Sequence, residues 1–105
     1  MKITTVAVTV DKKTSAERIA RVLLNERLCA CVNIIKKIES LYWWKGKVEK
    51  TDEYLLIIKT KKNMIDKLIK ETRKIHPYVV PEIISFDVDK GNKDYLKWVV
   101  KETTK

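Results

Sequence analysis

The sequence predicts an α+β fold of the ferredoxin-like kind, a βαββαβ sandwich with a long β-hairpin and an extra C-terminal helix. Three observations carry that prediction. The hydrophobic period switches between 2 and 3.6 in the order strand, helix, strand, strand, helix, strand. The two middle strands are separated only by Lys45-Gly46-Lys47, a turn signal that joins them as a hairpin. Each hairpin arm runs for about fifteen residues, or about 50 Å at about 3.3 Å per residue.

Each element has its own local reason. Residues 3–10 alternate, with Val6, Val8 and Val10 on one face and Thr5, Ala7 and Thr9 on the other, as a strand does. "DKKTSAE" stops that strand, and Thr14 with Glu17 has the spacing of a capping box. Ala16, Ile19, Ala20, Leu23, Leu24 and Leu28 follow at helical spacing, which predicts an amphipathic helix over 15–27. From Cys29, "CACVNIIKKIESLYWW" is rich in β-branched and aromatic residues and reads as one long strand. "VEKTDEYLLIIKT" is its returning partner, and Gly46 supplies a positive φ for the turn. Bulges near 36–40 and 49–52 would shorten the ribbon.

Asn63 is placed to cap a second helix, with Asp66 in its first turn and Ile65, Leu68, Ile69, Thr72 and Ile75 along its buried stripe. Pro77 disfavours a helical His76, so the helix ends there. "IISFDV" reads as the fourth strand, and Asn92 starts a last helix carrying Tyr95, Leu96 and Val99.

Composition bounds the function. A chain of 105 residues, 45% of them hydrophobic, predicts one folded domain over 1–105 and excludes a disordered one. "MKITTVAVTV" lacks the apolar block of a signal peptide, and no apolar run reaches the roughly twenty residues of a membrane span. A cytoplasmic protein is the expectation. The net charge of +9 favours anionic partners, yet the lysines are scattered over every predicted element. Cys29 and Cys31, in a C-x-C arrangement on one predicted strand, would sit too far apart for a disulfide and read as reduced thiols.

The hairpin is the informative feature. It reaches beyond a domain whose radius of gyration should be about 13 Å. Its distal half carries Tyr42, Trp43 and Trp44, and a bare two-stranded ribbon is barely stable alone. The expectation is that these aromatics anchor an interface with other copies of the chain rather than fold back on their own helices.

Over essentially its whole length the chain resembles the CutA-type divalent-cation tolerance proteins. The matching stretches are "ERLCACVNI", "SLYWWKGKVE", "YLLIIKT", "HPYVVPEII" and "DYLKWV", in family order and at family spacing. The resemblance implies a tightly packed homotrimer with intersubunit clefts like those of PII signalling proteins. It also implies a cytoplasmic role in the response to divalent metals, copper especially, with no enzymatic activity and no required cofactor. Family members associated with copper binding carry a first-strand cysteine and a His-His pair before Pro-Tyr. Here the corresponding residues are Ala7 and Ile75-His76, so His76 alone carries over, while Cys31 matches the Cys-Val-Asn stretch.

His76 and Cys31 are therefore the candidate metal residues. As the single histidine, His76 cannot build a multi-His zinc site within one chain, and beside a helix C-terminus its protonated ring could instead cap carbonyls. Alternatively it lines an intersubunit cleft with Lys59, Tyr78 and Glu82, a mixture suited to a small anion or a weakly held metal. Cys29 and Cys31 could supply soft sulfur ligands for Cu(I), or be buried small side chains. Asp87 and Asp89 read as solvated, Tyr95 and Trp98 as packing, and no residue reads as a general acid or base.

Two other functions compete. An RNA-binding module on the same fold would present paired aromatics on the third strand, where this chain has one aromatic and three acids, which argues against nucleic acid as a partner beyond weak, salt-sensitive retention. A small acylphosphatase-like hydrolase would need an arginine phosphate cradle that "DKKTSAE" does not supply.

Overall fold

The computed structural model describes residues 1–104. Its elements are β1 (Ile3–Val10), α1 (Lys13–Asn25), β2 (Cys31–Trp44), β3 (Lys47–Lys61), a 3-10 turn (Lys62–Met64), α2 (Ile65–Ile75), β4 (Ile83–Asp87) and α3 (Lys93–Glu102). That is the predicted order. The four strands form one sheet in the order β2-β3-β1-β4, with every neighbouring pair antiparallel.

Register sets what each face carries. Val6 lies opposite Ile58, Val8 opposite Leu56 and Val10 opposite Tyr54. Val32 and Ile34 of β2 continue the same face opposite Ile58 and Leu56. Against this face pack Ala16, Ile19 and Leu23 of α1 and Leu68 of α2, closing a core in which these four are fully buried. Leu24, expected on the same stripe, is 39% exposed, because its angle on the helix turns it towards solvent.

The helix ends depart from expectation in instructive ways. Helix α1 begins at Lys13 with Lys12 at the cap and no side-chain cap, so Thr14 and Glu17 form no capping box. Glu17 pairs instead with Lys13 at 3.8 Å. Its C-terminus closes with a Schellman motif: Arg27 N–H donates to the Leu24 carbonyl at 3.1 Å and Leu28 N–H to the Leu23 carbonyl at 2.9 Å. Arg27 occupies the left-handed position at φ 58, a place usually given to glycine. In return its guanidinium donates to Glu102 Oε1 at 2.8 Å and to the Glu102 carbonyl at 3.1 Å, fastening α3 to α1.

Asn63 does not cap α2. It lies inside the 3-10 turn, and Met64 stands at the cap without a side-chain bond. Asp66 is in the first turn as expected, and Asn92 caps α3 by accepting from Asp94 N–H at 3.0 Å. His76 takes an extended conformation, φ −76 and ψ 132, ending α2 before Pro77.

The ribbon between β2 and β3 is the long feature. The turn has Lys45 at φ 51 and Gly46 at φ 80, the two positive φ values of a type I′ hairpin. Between Ile35↔Leu55 and Ile38↔Glu53 the register slips, so Lys36 and Lys37 oppose the single residue Tyr54. This is a β-bulge, with Lys37 at φ 57. Every residue from Leu41 to Asp52 is exposed.

Candidate functional site

Three groupings outside the core bear on function. The first is the sheet face turned away from α1 and α2. Alternation places Ile35, Leu55, Ile57, Ile84 and Phe86 on it, and α3 packs on β3 and β1. Much of this apolar face stays open: Ile35 is 46% exposed, Ile84 47% and Phe86 56%. Beyond the bulge the same alternation along β3 carries Tyr42 and Trp44 onto this face, opposite Glu49 and Lys47. Trp43 falls on the other side of the ribbon, opposite Val48. So the three aromatics named from the sequence are all exposed in the protomer but point to two faces.

The second grouping lies at the base of the ribbon. His76 Nε2–H donates to the Thr9 carbonyl at 2.8 Å, and Tyr78 N–H donates to His76 Nδ1 at 3.1 Å. One neutral tautomer satisfies both bonds, and it leaves neither ring nitrogen free for a metal. The ring therefore caps a strand carbonyl and not the helix carbonyls its place after α2 could have offered, with Nδ1 acting as acceptor. The Tyr78 hydroxyl donates to Glu53 Oε2 at 2.7 Å, and Glu53 is nearly fully buried. Burial, reinforced by the bond to Glu53, pushes the Tyr78 hydroxyl well above the usual phenol range. These bonds pin the loop after α2 across the ribbon's root.

The third grouping is Cys31, Asn33 and Lys59, side by side on the open face. Lys59 Nζ donates to Asn33 Oδ1, and Cys31 Sγ lies 3.8 Å from the same oxygen. Cys31 and Thr5 both pair with Lys59, whereas His76 is bound at Thr9, four residues further along β1. Four residues of strand are about 13 Å. Within one chain, then, Lys59 and Cys31 are not brought to His76 and Tyr78. Glu82 is exposed at the His76 end, next to Ile83, which pairs with Val8.

The two cysteines do not share a strand, contrary to the sequence reading. Strand β2 starts at Cys31, while Cys29 lies ahead of it, 2% exposed. Burial, with a smaller contribution from Cys31 nearby, pushes the Cys29 thiol up to about 12, so it stays protonated and is a poor metal ligand. Asp87 accepts from Lys62 at 2.7 Å and stands 3.8 Å from Lys2, which holds its carboxyl below the usual range. Among the described residues no three His, Cys, Asp or Glu side chains gather in a metal-binding group. The residues of one protomer do not fit a resident copper ion.

The open sheet face is what the sequence reading missed. Its signal was present in "YLLIIKT" and "IISF", where apolar residues run consecutively instead of alternating. Consecutive apolar positions mark strands destined to be covered on both sides.

The geometry defines a split βαβ fold with a protruding ribbon and an uncovered second sheet face. Residues 4–102 match the family described as CutA1 divalent ion tolerance protein, and the chain belongs to that family. The divalent-cation tolerance protein CutA of Pyrococcus horikoshii is 45% identical over 91 residues, covering 87% of this chain and 88% of that one. Chloroplastic protein CutA 1 of rice, Oryza sativa, is also 45% identical, over 93% of this chain but 55% of its own length. The chain thus spans about half of some curated relatives. The structure called the periplasmic divalent cation tolerance protein CutA from Archaeoglobus fulgidus superposes with a TM-score of 0.95 at 33% identity, over 97% of this chain and 99% of that one. No described helix is long and apolar enough to cross a membrane.

Proposed function

We propose that the chain, folded as one domain over 1–105, works as a cytoplasmic homotrimer in tolerance to divalent cations, copper among them. Its role is binding or signalling at clefts between subunits, not catalysis. The observation that carries this reading is the amount of surface left open. A compact monomer of 12.3 kDa should expose about 6,100 Å². This protomer exposes 7183 Å² and has a radius of gyration of 14.3 Å. The excess, about 1,100 Å², is of the size one partner contributes to a stable interface. Exposed large apolar side chains lie on the ribbon, at Leu41, Tyr42, Trp43, Trp44 and Val48, and on the face bearing Ile35, Ile84 and Phe86, and a second and third copy would bury both.

The cleft follows from assembly. Lys59 at one end of the face and His76, Tyr78 and Glu82 at the other are about 13 Å apart in one chain, so a shared site draws them from neighbouring copies. Lys59 and the backbone around Tyr78 would there hold a small anion. A metal would likewise need ligands such as Cys31 from more than one copy, since both His76 nitrogens are engaged.

Two measurements test this. Light scattering at micromolar concentration should give three times the chain mass, and Ile84→Lys with Phe86→Lys should give a folded monomer or a lower oligomer. A wild-type monomer refutes the assembly. Calorimetric titration of copper and zinc into wild type and His76→Ala should give the same isotherm for both; loss of binding in the variant would make His76 a ligand after all.

A further inference from the structure

We propose that the outer face of α1 and α2 binds the phosphate backbone of double-stranded nucleic acid without reading its sequence. Arg18 and Arg21 stand opposite the buried stripe of α1, and Lys67, Lys70 and Arg73 stand on the outer side of α2. All five are exposed, and no ion pair among the described residues involves any of them. The other cations of the two helices are already matched internally, Lys13 by Glu17 at 3.8 Å and Lys74 by Glu71 at 2.8 Å. Asp66 is the one carboxylate of these helices left without such a match. Charge that looks scattered along the sequence is therefore in positive excess on one side of the molecule, with Glu71, paired to Lys74 and also near Lys70 and Lys67, and Asp66 as the acids set against it.

The shape and chemistry of that side select the partner. The helices have 13 and 11 residues, so each is about 16–20 Å long at about 1.5 Å per residue. A duplex carries one charge per about 1.7 Å of axis, so several phosphates fall within that span. A shallow open groove of about 410 Å³ is lined by Ile69, Lys70, Arg73 and Lys74, with Asp66 as its one acid. The two helices carry no aromatic residue for stacking single-stranded bases, and their one exposed large apolar side chain, Leu24 at 39%, is too little to anchor in a lipid surface. What it offers is arginine and lysine at helical spacing, which suits phosphate oxygens and is indifferent to base identity. This agrees with the expectation that the chain lacks a base-reading strand.

The test is fluorescence anisotropy with a labelled duplex of about 20 base pairs, at about 50 and about 200 mM salt. Contact with about four phosphates predicts an affinity falling roughly 100-fold between the two. Lys70→Glu with Arg73→Glu should weaken binding at low salt by at least about tenfold and flatten the salt dependence by about two phosphates. Lys45→Glu with Lys47→Glu, the same charge change at the ribbon tip, should leave most of the affinity and the slope. Four outcomes overturn the proposal: equal loss from the ribbon pair, salt-independent binding, tighter binding to single-stranded RNA than to the duplex, or binding only to vesicles of anionic phospholipid. Light scattering on each variant keeps this result separate from the assembly reading, which does not depend on these side chains.

Discussion

Replacing Cys29 by alanine should remove a pH dependence that the fold imposes on one thiol. The thiol's ordinary value is 9.0, and burial raises it to about 12 in the native state. The unfolded chain therefore releases this proton first. Below pH 9 both states hold it and the linkage contributes nothing further. As pH rises from 9 towards 12 the unfolded state binds fewer protons than the native one, so stability falls by up to about 1.4 kcal/mol per pH unit. A gap of three units sets the limit at about 4 kcal/mol, and between about pH 8 and about pH 10.5 the loss is about 2 kcal/mol. Guanidinium unfolding of wild type and Cys29→Ala at those two pH values reads it directly. Alanine should cost about 1 kcal/mol at the lower pH through lost packing, and should then lose about 2 kcal/mol less than wild type on going to the higher pH. Equal losses would show that the native thiol titrates normally and is not sealed from water.

Thr72 Oγ1 is buried with no hydrogen-bond partner among the described residues, so Thr72→Val should raise stability by about 1 kcal/mol in thermal or denaturant unfolding. Gly46 sits at φ 80 with nothing within 4 Å of an added Cβ; Gly46→Ala should therefore cost about 1 kcal/mol from backbone strain alone, without steric disruption of the turn. His76→Ala removes the bonds to the Thr9 carbonyl and the Tyr78 N–H, so unfolding should show a loss of about 2 kcal/mol. Tyr78→Phe deprives the buried Glu53 of its 2.7 Å donor and should cost about 1.5–3 kcal/mol; a neutral result would place a water at that carboxylate.

The strand and helix order was legible because each segment carries its own period, and Asn92 announced α3 because its side chain does cap Asp94 N–H. Helix beginnings elsewhere were less legible. Thr14 and Asn63 have capping chemistry, but α1 starts two residues too early for the first, with Lys12 at the cap, and a 3-10 turn absorbs the second. Left-handed positions were hidden for another reason. Arg27 and Lys37 occupy them without glycine, compensated by the Glu102 bonds in one case and by the bulge in the other. Nothing in residue type marks such sites when tertiary contacts supply the balance. The candidate-site residues were identifiable by chemistry, yet their grouping depended on register, which only the ladder β2-β3-β1 shows.

Register also bears on which assembly the ribbon favours. Tyr42 and Trp44 share the face with Ile84 and Phe86, while Trp43 and Leu41 lie on the opposite face with Val48. A twofold dimer joins one patch to its own copy and would leave the other side of the ribbon wet. A closed ring joins two different patches, so each ribbon can present one face to the subunit ahead and the other to the subunit behind. Exposed apolar side chains on both faces, with Trp43 at 75% and Leu41 at 62%, are what the proposed ring would cover. The bulge at Lys36 and Lys37 makes it possible. By adding one residue to β2 it shifts the parity of everything beyond, moving Tyr42 and Trp44 onto the face of Ile35 and turning Trp43 away. Were the same residues paired in regular alternation without the bulge, Trp43 would share the open sheet face and its neighbours would not, so the assignment of aromatics to the two sides of the ribbon rests on how Lys36 and Lys37 are accommodated opposite Tyr54.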